Sequence, residues 1–162
     1  MLDGILTFYL GLHAVLAILI DGQAIAPASL LGVYEQLGLT AVVAKWVKDE
    51  SDFLVGENPL WFQSLVLSEI FVQVPLCVYL AGKWAARSQD ARMPSLLYSV
   101  HVLTTMVPIF STLCADDRPT LVCKLVYAIW ILLPLLLFWR SLSNPLFGKP
   151  KLAVQYSPRK RK

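Results

Sequence analysis

Four long apolar runs separated by polar stretches set the pattern of this chain. They extend from about Ile5 to Ile20, Leu60 to Ala81, Pro94 to Leu113 and Leu121 to Trp139. A helix rises ~1.5 Å per residue and a bilayer's hydrocarbon core is ~30 Å thick, so ~20 apolar residues cross it. All four runs meet or approach that length. In hydrocarbon every backbone N–H and C=O must be paired within its own segment, which predicts helix for each run. Pro75, Pro108 and Pro134 fall inside three of the spans. Each removes one backbone hydrogen bond and predicts a kink. The expected fold is therefore all-α, an integral membrane four-helix bundle with kinked transmembrane helices. Splayed helices leave room for a cavity; prolines that only shape packing are the other reading.

Between the first two spans the pattern changes. Residues 30–50 place apolar side chains at Leu30, Leu31, Val33, Tyr34, Leu37, Val42, Val43, Trp46 and Val47. That spacing predicts an amphipathic helix lying at the interface or folded against the bundle, with Gly38 as its candidate break. The first span has no basic stretch before it and Asp21 after it, so it reads as a retained helix rather than a cleaved leader. The division expected is a four-span domain over residues 1–140 and a basic tail over 141–162. That tail is polar and Pro-containing, and is expected to be poorly ordered.

Composition agrees with a bilayer. Hydrophobic residues make up 57% of the 162-residue chain and charged residues 15%, against roughly 25% charged in soluble domains. Mean hydropathy is +0.61. The net charge of +3 matters less than its distribution. Four spans put the N-terminus, the loop around Lys83, Arg87 and Arg92, and the tail from Arg140 to the run Arg159–Lys162 on one side. The positive-inside rule makes that side, and both termini, cytoplasmic. The first loop, acidic through Asp21, Glu35, Asp49, Glu50, Asp52 and Glu57, then faces a lumen or the exterior. A basic tail beside a span marks a membrane face, so no nucleic acid partner is expected. Cys77, Cys114 and Cys123 show no zinc spacing. Cys114 and Cys123 flank a short loop and are either a lumenal disulfide or free buried thiols. No nucleophile elbow, phosphate loop or metal motif is present, and no cofactor is expected.

Glu69 is the most informative single residue. It lies nine residues into the second span, ~13 Å along the helix and near the mid-bilayer. An ionised carboxylate at that depth costs at least ~2.5–3.5 kcal/mol, so it must be neutral, or face a cavity or a polar partner. Gln73, four residues on, shares its face. Asp21 ends the first span and Asp52 sits in the acidic loop. Either is an ordinary boundary residue, or both converge on the mouth of one site, where carboxyls cannot all be charged. Tyr98, Tyr127 and Trp130 supply aromatic surface suited to rigid polycyclic or cationic ligands, or to an interfacial belt. Thr105 and Trp46 complete the candidate ligand-binding set. His13 and His101, lone helical histidines, read as packing residues, and no metal site is expected.

The strings WFQSLVLSEIFVQVP, YSVHVLTTMVPIFST and VYAIWILLP, with IDGQAIAP after the first span, resemble the sigma-2 receptor family. That family lies within the EXPERA group, which also holds the emopamil-binding sterol isomerase. The resemblance implies a homodimeric four-helix bundle of the endoplasmic reticulum membrane with a cavity opening to the bilayer. It implies binding of sterols or cationic amphiphilic small molecules and a role in cholesterol homeostasis and trafficking, with the Niemann–Pick cholesterol transporter as partner. By the same resemblance Asp21 pairs with the ligand, Asp52 is the second aspartate, and Glu69 is the buried glutamate, followed by Gln73 and Pro75. Tyr98 and Tyr127 become pocket aromatics, and Trp130 stands where the family often has tyrosine. The closing Arg-Lys-Arg-Lys resembles a lysine-rich retrieval tail. The expectation is a binding protein rather than an enzyme, with Asp21 charged and Glu69 uncharged and bonded to it. The alternative is a sterol Δ8–Δ7 isomerase.

Overall fold

The computed structural model describes residues 1–143 and 145–147. Eight α-helices account for most of them: α1 (Leu2–Leu19), α2 (Ala28–Gln36), α3 (Leu39–Glu50), α4 (Phe53–Glu57), α5 (Leu60–Ser68), α6 (Val74–Ala85), α7 (Arg92–Ala115) and α8 (Leu121–Ser141). A turn of π-helix over Glu69–Gln73 joins α5 to α6 into one rod. Among the described residues, four stretches are long and apolar enough to span a membrane: Leu2–Ile25, Leu60–Ala85, Gln89–Ala115 and Leu121–Ser141. The fold is the expected all-α membrane bundle, each span running a few residues beyond its apolar run.

The π turn has a local cause. Pro75 has no N–H to return to the preceding turn, and the Val74 N–H reaches back five residues to the Glu69 carbonyl. Such single wide turns recur at functional sites in helices. Pro108 and Pro134 lie inside α7 and α8, which continue through them as helix.

In lipid, outward apolar side chains meet acyl tails, so helix pairing rests on close packing and polar contacts. The helices comply. Leu6, Leu10, Ala14 and Ala17 bury one stripe of α1, the last two being small enough for close approach to α6, where Cys77, Leu80 and Trp84 are buried. The buried stripe of α7 runs Ser95, Tyr98, Val102, Met106, Ile109 and Leu113, and α8 packs along it. Phe8, Phe71 and Trp139 point outward. The bundle is thus two tight pairs, α1 with α6 and α7 with α8.

One end of the bundle is tied by charge. The Asp3 carboxylate accepts from Arg140 Nε at 2.9 Å and Nη2 at 3.3 Å, and Arg87 Nη1 lies 3.6 Å away. Arg92 Nε donates to the Ser141 carbonyl at 3.2 Å. Here the start of the tail departs from expectation. Leu146 and Phe147 are buried, because Gln89 bonds their backbone at 2.8 and 2.5 Å and the Phe147 ring packs edge-on against Trp84 at 5.2 Å. The basic run Arg159–Lys162 lies outside the described residues.

At the other end, the predicted amphipathic segment is two helices, α2 and α3, broken at Gly38 with φ +73°. They and α4 cap the bundle. Tyr34 OH anchors α2 by donating to the Ile18 carbonyl at 2.8 Å. Gly22 permits that approach: a Cβ there would sit 3.3 Å from both the Ala17 carbonyl oxygen and Tyr34 OH. Overpacking of this kind costs ~1–3 kcal/mol, so Gly22→Ala should lower the melting temperature of the purified protein; an unchanged melt would show that Tyr34 yields freely.

The cap is latched to the α7–α8 loop. Arg118 bonds Glu57 at 2.5 Å and Asp116 at 2.8 Å and stacks over Phe53 at 4.0 Å. Glu50 bonds Thr120 through its side chain, and Thr120 N–H donates to the Glu50 carbonyl at 3.1 Å. Arg118 holds the Asp116 carboxyl below the usual carboxylate range. The Asp116 contribution is therefore present above that range and is lost only as pH falls through the lowered value. Amide protection factors in Phe53–Glu57, taken relative to the intrinsic exchange rate at each pH, should fall in Arg118→Ala at neutral pH, and in the wild type only at acid pH. Equal exchange in variant and wild type would remove the latch.

All three cysteines are free, Cys77 and Cys123 buried and Cys114 exposed.

Candidate functional site

Where the two helix pairs meet, under the cap, lies a cavity of about 580 Å³. That volume is within the ~300–1,000 Å³ typical of small-molecule sites. α1 contributes His13 and Leu16, its C-cap adds Ile20 four residues on, and the following 3₁₀ turn adds Asp21. Phe62, Leu65 and Val66 line it from α5, and Glu69 and Gln73 from the π turn. α7 presents Val102, Thr105, Met106 and Ile109; α8 presents Val126, Tyr127 and Trp130. Val42, Val43 and Trp46 of α3 form its roof. The wall is apolar and aromatic, with a few polar groups set into it.

The polar groups are linked behind the wall. His13 Nε2 meets Glu69 Oε1 at 2.7 Å, and His13 Nδ1 meets Tyr98 OH. Tyr98 OH in turn lies 2.7 Å from Tyr9 OH. Trp130 packs against His13 with ring centroids 5.0 Å apart. A proton shared between His13 and Glu69 keeps the pair neutral overall wherever the proton sits, which answers the cost of a lone carboxylate at this depth. Gln73 Nε2 donates to Thr105 Oγ1 at 3.3 Å and lies 3.2 Å from His101 Nδ1.

Asp52 is fully buried yet does not line the cavity. Its Oδ2 accepts from Trp46 Nε1 at 2.9 Å and Tyr127 OH at 2.8 Å, and its Oδ1 caps α4 by accepting from Val55 N–H at 3.2 Å. It clamps two rings of the cavity wall from behind.

Seven of the expected site residues thus face one cavity: Asp21, Glu69, Gln73, Thr105, Tyr127, Trp130 and Trp46. Asp52 and Tyr98 stand one layer back, and among the described residues Glu69 bonds His13 rather than Asp21. His13, expected to be a packing residue, is part of the site. The signal for it was available: His13, Leu16 and Ile20 follow helical spacing down to Asp21.

A four-span helical membrane protein with a partly polar cavity inside its bundle is the class this geometry defines. The family profile described as EXPERA (EXPanded EBP superfamily) matches residues 39–141. The chain is 31% identical to sigma intracellular receptor 2 of Homo sapiens over 169 aligned residues, covering 90% of this chain and 89% of that protein. It is 32% identical to the Xenopus tropicalis protein of the same name over 161 residues, covering 90% of each. Similarity to efficient mitochondria targeting-associated protein 19 of Saccharomyces cerevisiae is 33% over 78 residues, covering 48% of this chain and 45% of that protein. The chain belongs to the EXPERA family, alongside sigma intracellular receptor 2.

Proposed function

We propose that this protein binds amphipathic ligands with a rigid apolar body and one polar or cationic head, namely sterols and cationic amphiphiles, and serves cholesterol homeostasis and trafficking in the endoplasmic reticulum membrane. The observation that carries this reading is a single apolar cavity holding Asp21 together with the His13–Glu69 pair. Fused rings would pack against Trp46, Phe62, Tyr127 and Trp130, while the head meets Asp21. Sitting near the span end, Asp21 can meet a head group that stays close to water. In the same reading the Asp3 end, rich in arginine, faces the cytosol. Association as a homodimer and engagement of a cholesterol transporter belong to it as well.

A ligand that binds only the folded state stabilises it by ~2.7 kcal/mol at a hundred times its Kd. Adding cholesterol or a cationic amphiphile to the purified protein should raise its melting temperature. No rise with either would count against a ligand role and favour a scaffold.

The His13–Glu69 pair supports a second reading. An imidazole bonded to a carboxyl at a sterol-sized cavity is suited to moving a proton, the step by which a ring double bond migrates. Incubation with a Δ8-sterol tests it directly. A double-bond-shifted product, absent with Glu69→Gln, would establish turnover.

A further inference from the structure

Four groups form one row that begins in the cavity wall with Glu69 and His13 and runs inward through Tyr98 to Tyr9. Tyr9, Tyr98 and His13 are almost wholly buried. A phenol has one proton, and each ring nitrogen either donates or accepts, so the directions of the three bonds are linked. In one arrangement Tyr9 donates to Tyr98, Tyr98 donates to Nδ1, and Nε2–H donates to the Glu69 carboxylate. Every donor in the row is then satisfied, and the row carries one negative charge. In the other arrangement Nδ1 carries hydrogen, Tyr98 accepts it and donates to Tyr9, and one more proton is shared between Nε2 and Glu69. The row is then neutral, but the Tyr9 O–H has no acceptor within it.

The two arrangements differ by one proton and are opposed by different costs. The first leaves a charge in a dry place. The second leaves a buried donor unpaired. A cation in the cavity removes only the first cost. We infer that Tyr98 and Tyr9 form a reversible hydrogen-bond relay through which the site releases one proton when it takes a cationic head and none when it takes a neutral hydroxyl. This rests on the ligand reading above and assigns Tyr98 a positioning role rather than a ligand contact.

The groups facing His13 and Glu69 are few. The 3₁₀ turn brings Asp21, α6 brings the Cys77 thiol, and α8 brings only the Trp130 ring. Tyr127 lines the same cavity and donates to Asp52 one layer back. Among the described residues, Asp21 and the Cys77 thiol are the rival sources of the proton.

Calorimetric titration of the full-length protein with a quaternary ammonium amphiphile, in buffers of different ionisation enthalpy, counts the protons; the ligand itself cannot titrate. The wild type should release about one, with affinity rising ~10-fold per pH unit across the range of release. Tyr98→Phe withdraws the donor that favours the charged row, so the range should move to higher pH while sterol affinity holds. Glu69→Gln should release none. A release range that does not move in Tyr98→Phe removes the relay, and release that persists in Glu69→Gln places the proton on Asp21 or Cys77; either result overturns the inference. Binding by the wild type without release overturns it but leaves the ligand reading standing. No binding by the wild type removes both.

Discussion

Asp21→Asn should weaken the binding of a cationic amphiphile by about 10- to 100-fold while leaving the melting temperature close to that of the wild type. A hydrogen bond or ion pair involving a charged group contributes ~1.5–3 kcal/mol, and 1.4 kcal/mol is tenfold in affinity. Asp21 lines the cavity and, among the described residues, makes no hydrogen bond to another side chain, so the fold does not depend on it. An asparagine keeps the shape and an acceptor oxygen but can carry no charge to meet a cation. Neutral sterols should therefore be affected much less than amines, and equilibrium binding of the two classes to one preparation measures the difference. Equal affinity of the folded variant and the wild type for the amine would place the ligand's head elsewhere.

Asp52→Ala should act in the opposite manner, lowering stability and the affinity for every ligand class. Three donors, Trp46 Nε1, Tyr127 OH and Val55 N–H, converge on that one carboxyl. Leaving a buried donor unsatisfied costs ~1–3 kcal/mol, so a loss of roughly 3 kcal/mol is expected even if part of the network finds water. Trp46 and Tyr127 both line the cavity and would lose the contact that fixes their rings. Thermal melting in detergent, followed by binding assays well below the new midpoint, separates the two effects. A wild-type melt for Asp52→Ala would mean that the clamp is dispensable.

The contrast between these two aspartates shows how far a sequence can be read. One ends a span and the other sits in the acidic loop, and resemblance assigns both to a ligand site. Only coordinates show that one borders the cavity and the other holds its wall. The spans themselves were plain because hydropathy at bilayer length admits one solution, and Gly38 signalled its own break. Glu69 was legible because a mid-span acid has few innocent explanations. Its partner was not, since His13 lies 56 residues earlier and no local periodicity links them. Tyr98 illustrates a different limit. It shares the buried stripe of α7 with Val102, Met106 and Ile109, which line the cavity together with Thr105, but it lies seven residues, or ~10 Å, from Thr105 along the axis. Helical spacing gives the face, whereas cavity depth is set by the other helices. The π turn was hidden for a related reason: Pro75 announces a lost hydrogen bond, but not how the backbone accommodates the loss.

The central claim is that ligands occupy the space between the two helix pairs rather than the lipid-facing surface. Photolabelling with a diazirine sterol, followed by peptide mass spectrometry, tests it most directly. The account predicts labels on Phe62, Met106 and Trp130, displaced by excess cationic amphiphile. Labels confined to outward residues such as Phe71 and Trp139, insensitive to competitor, would contradict it.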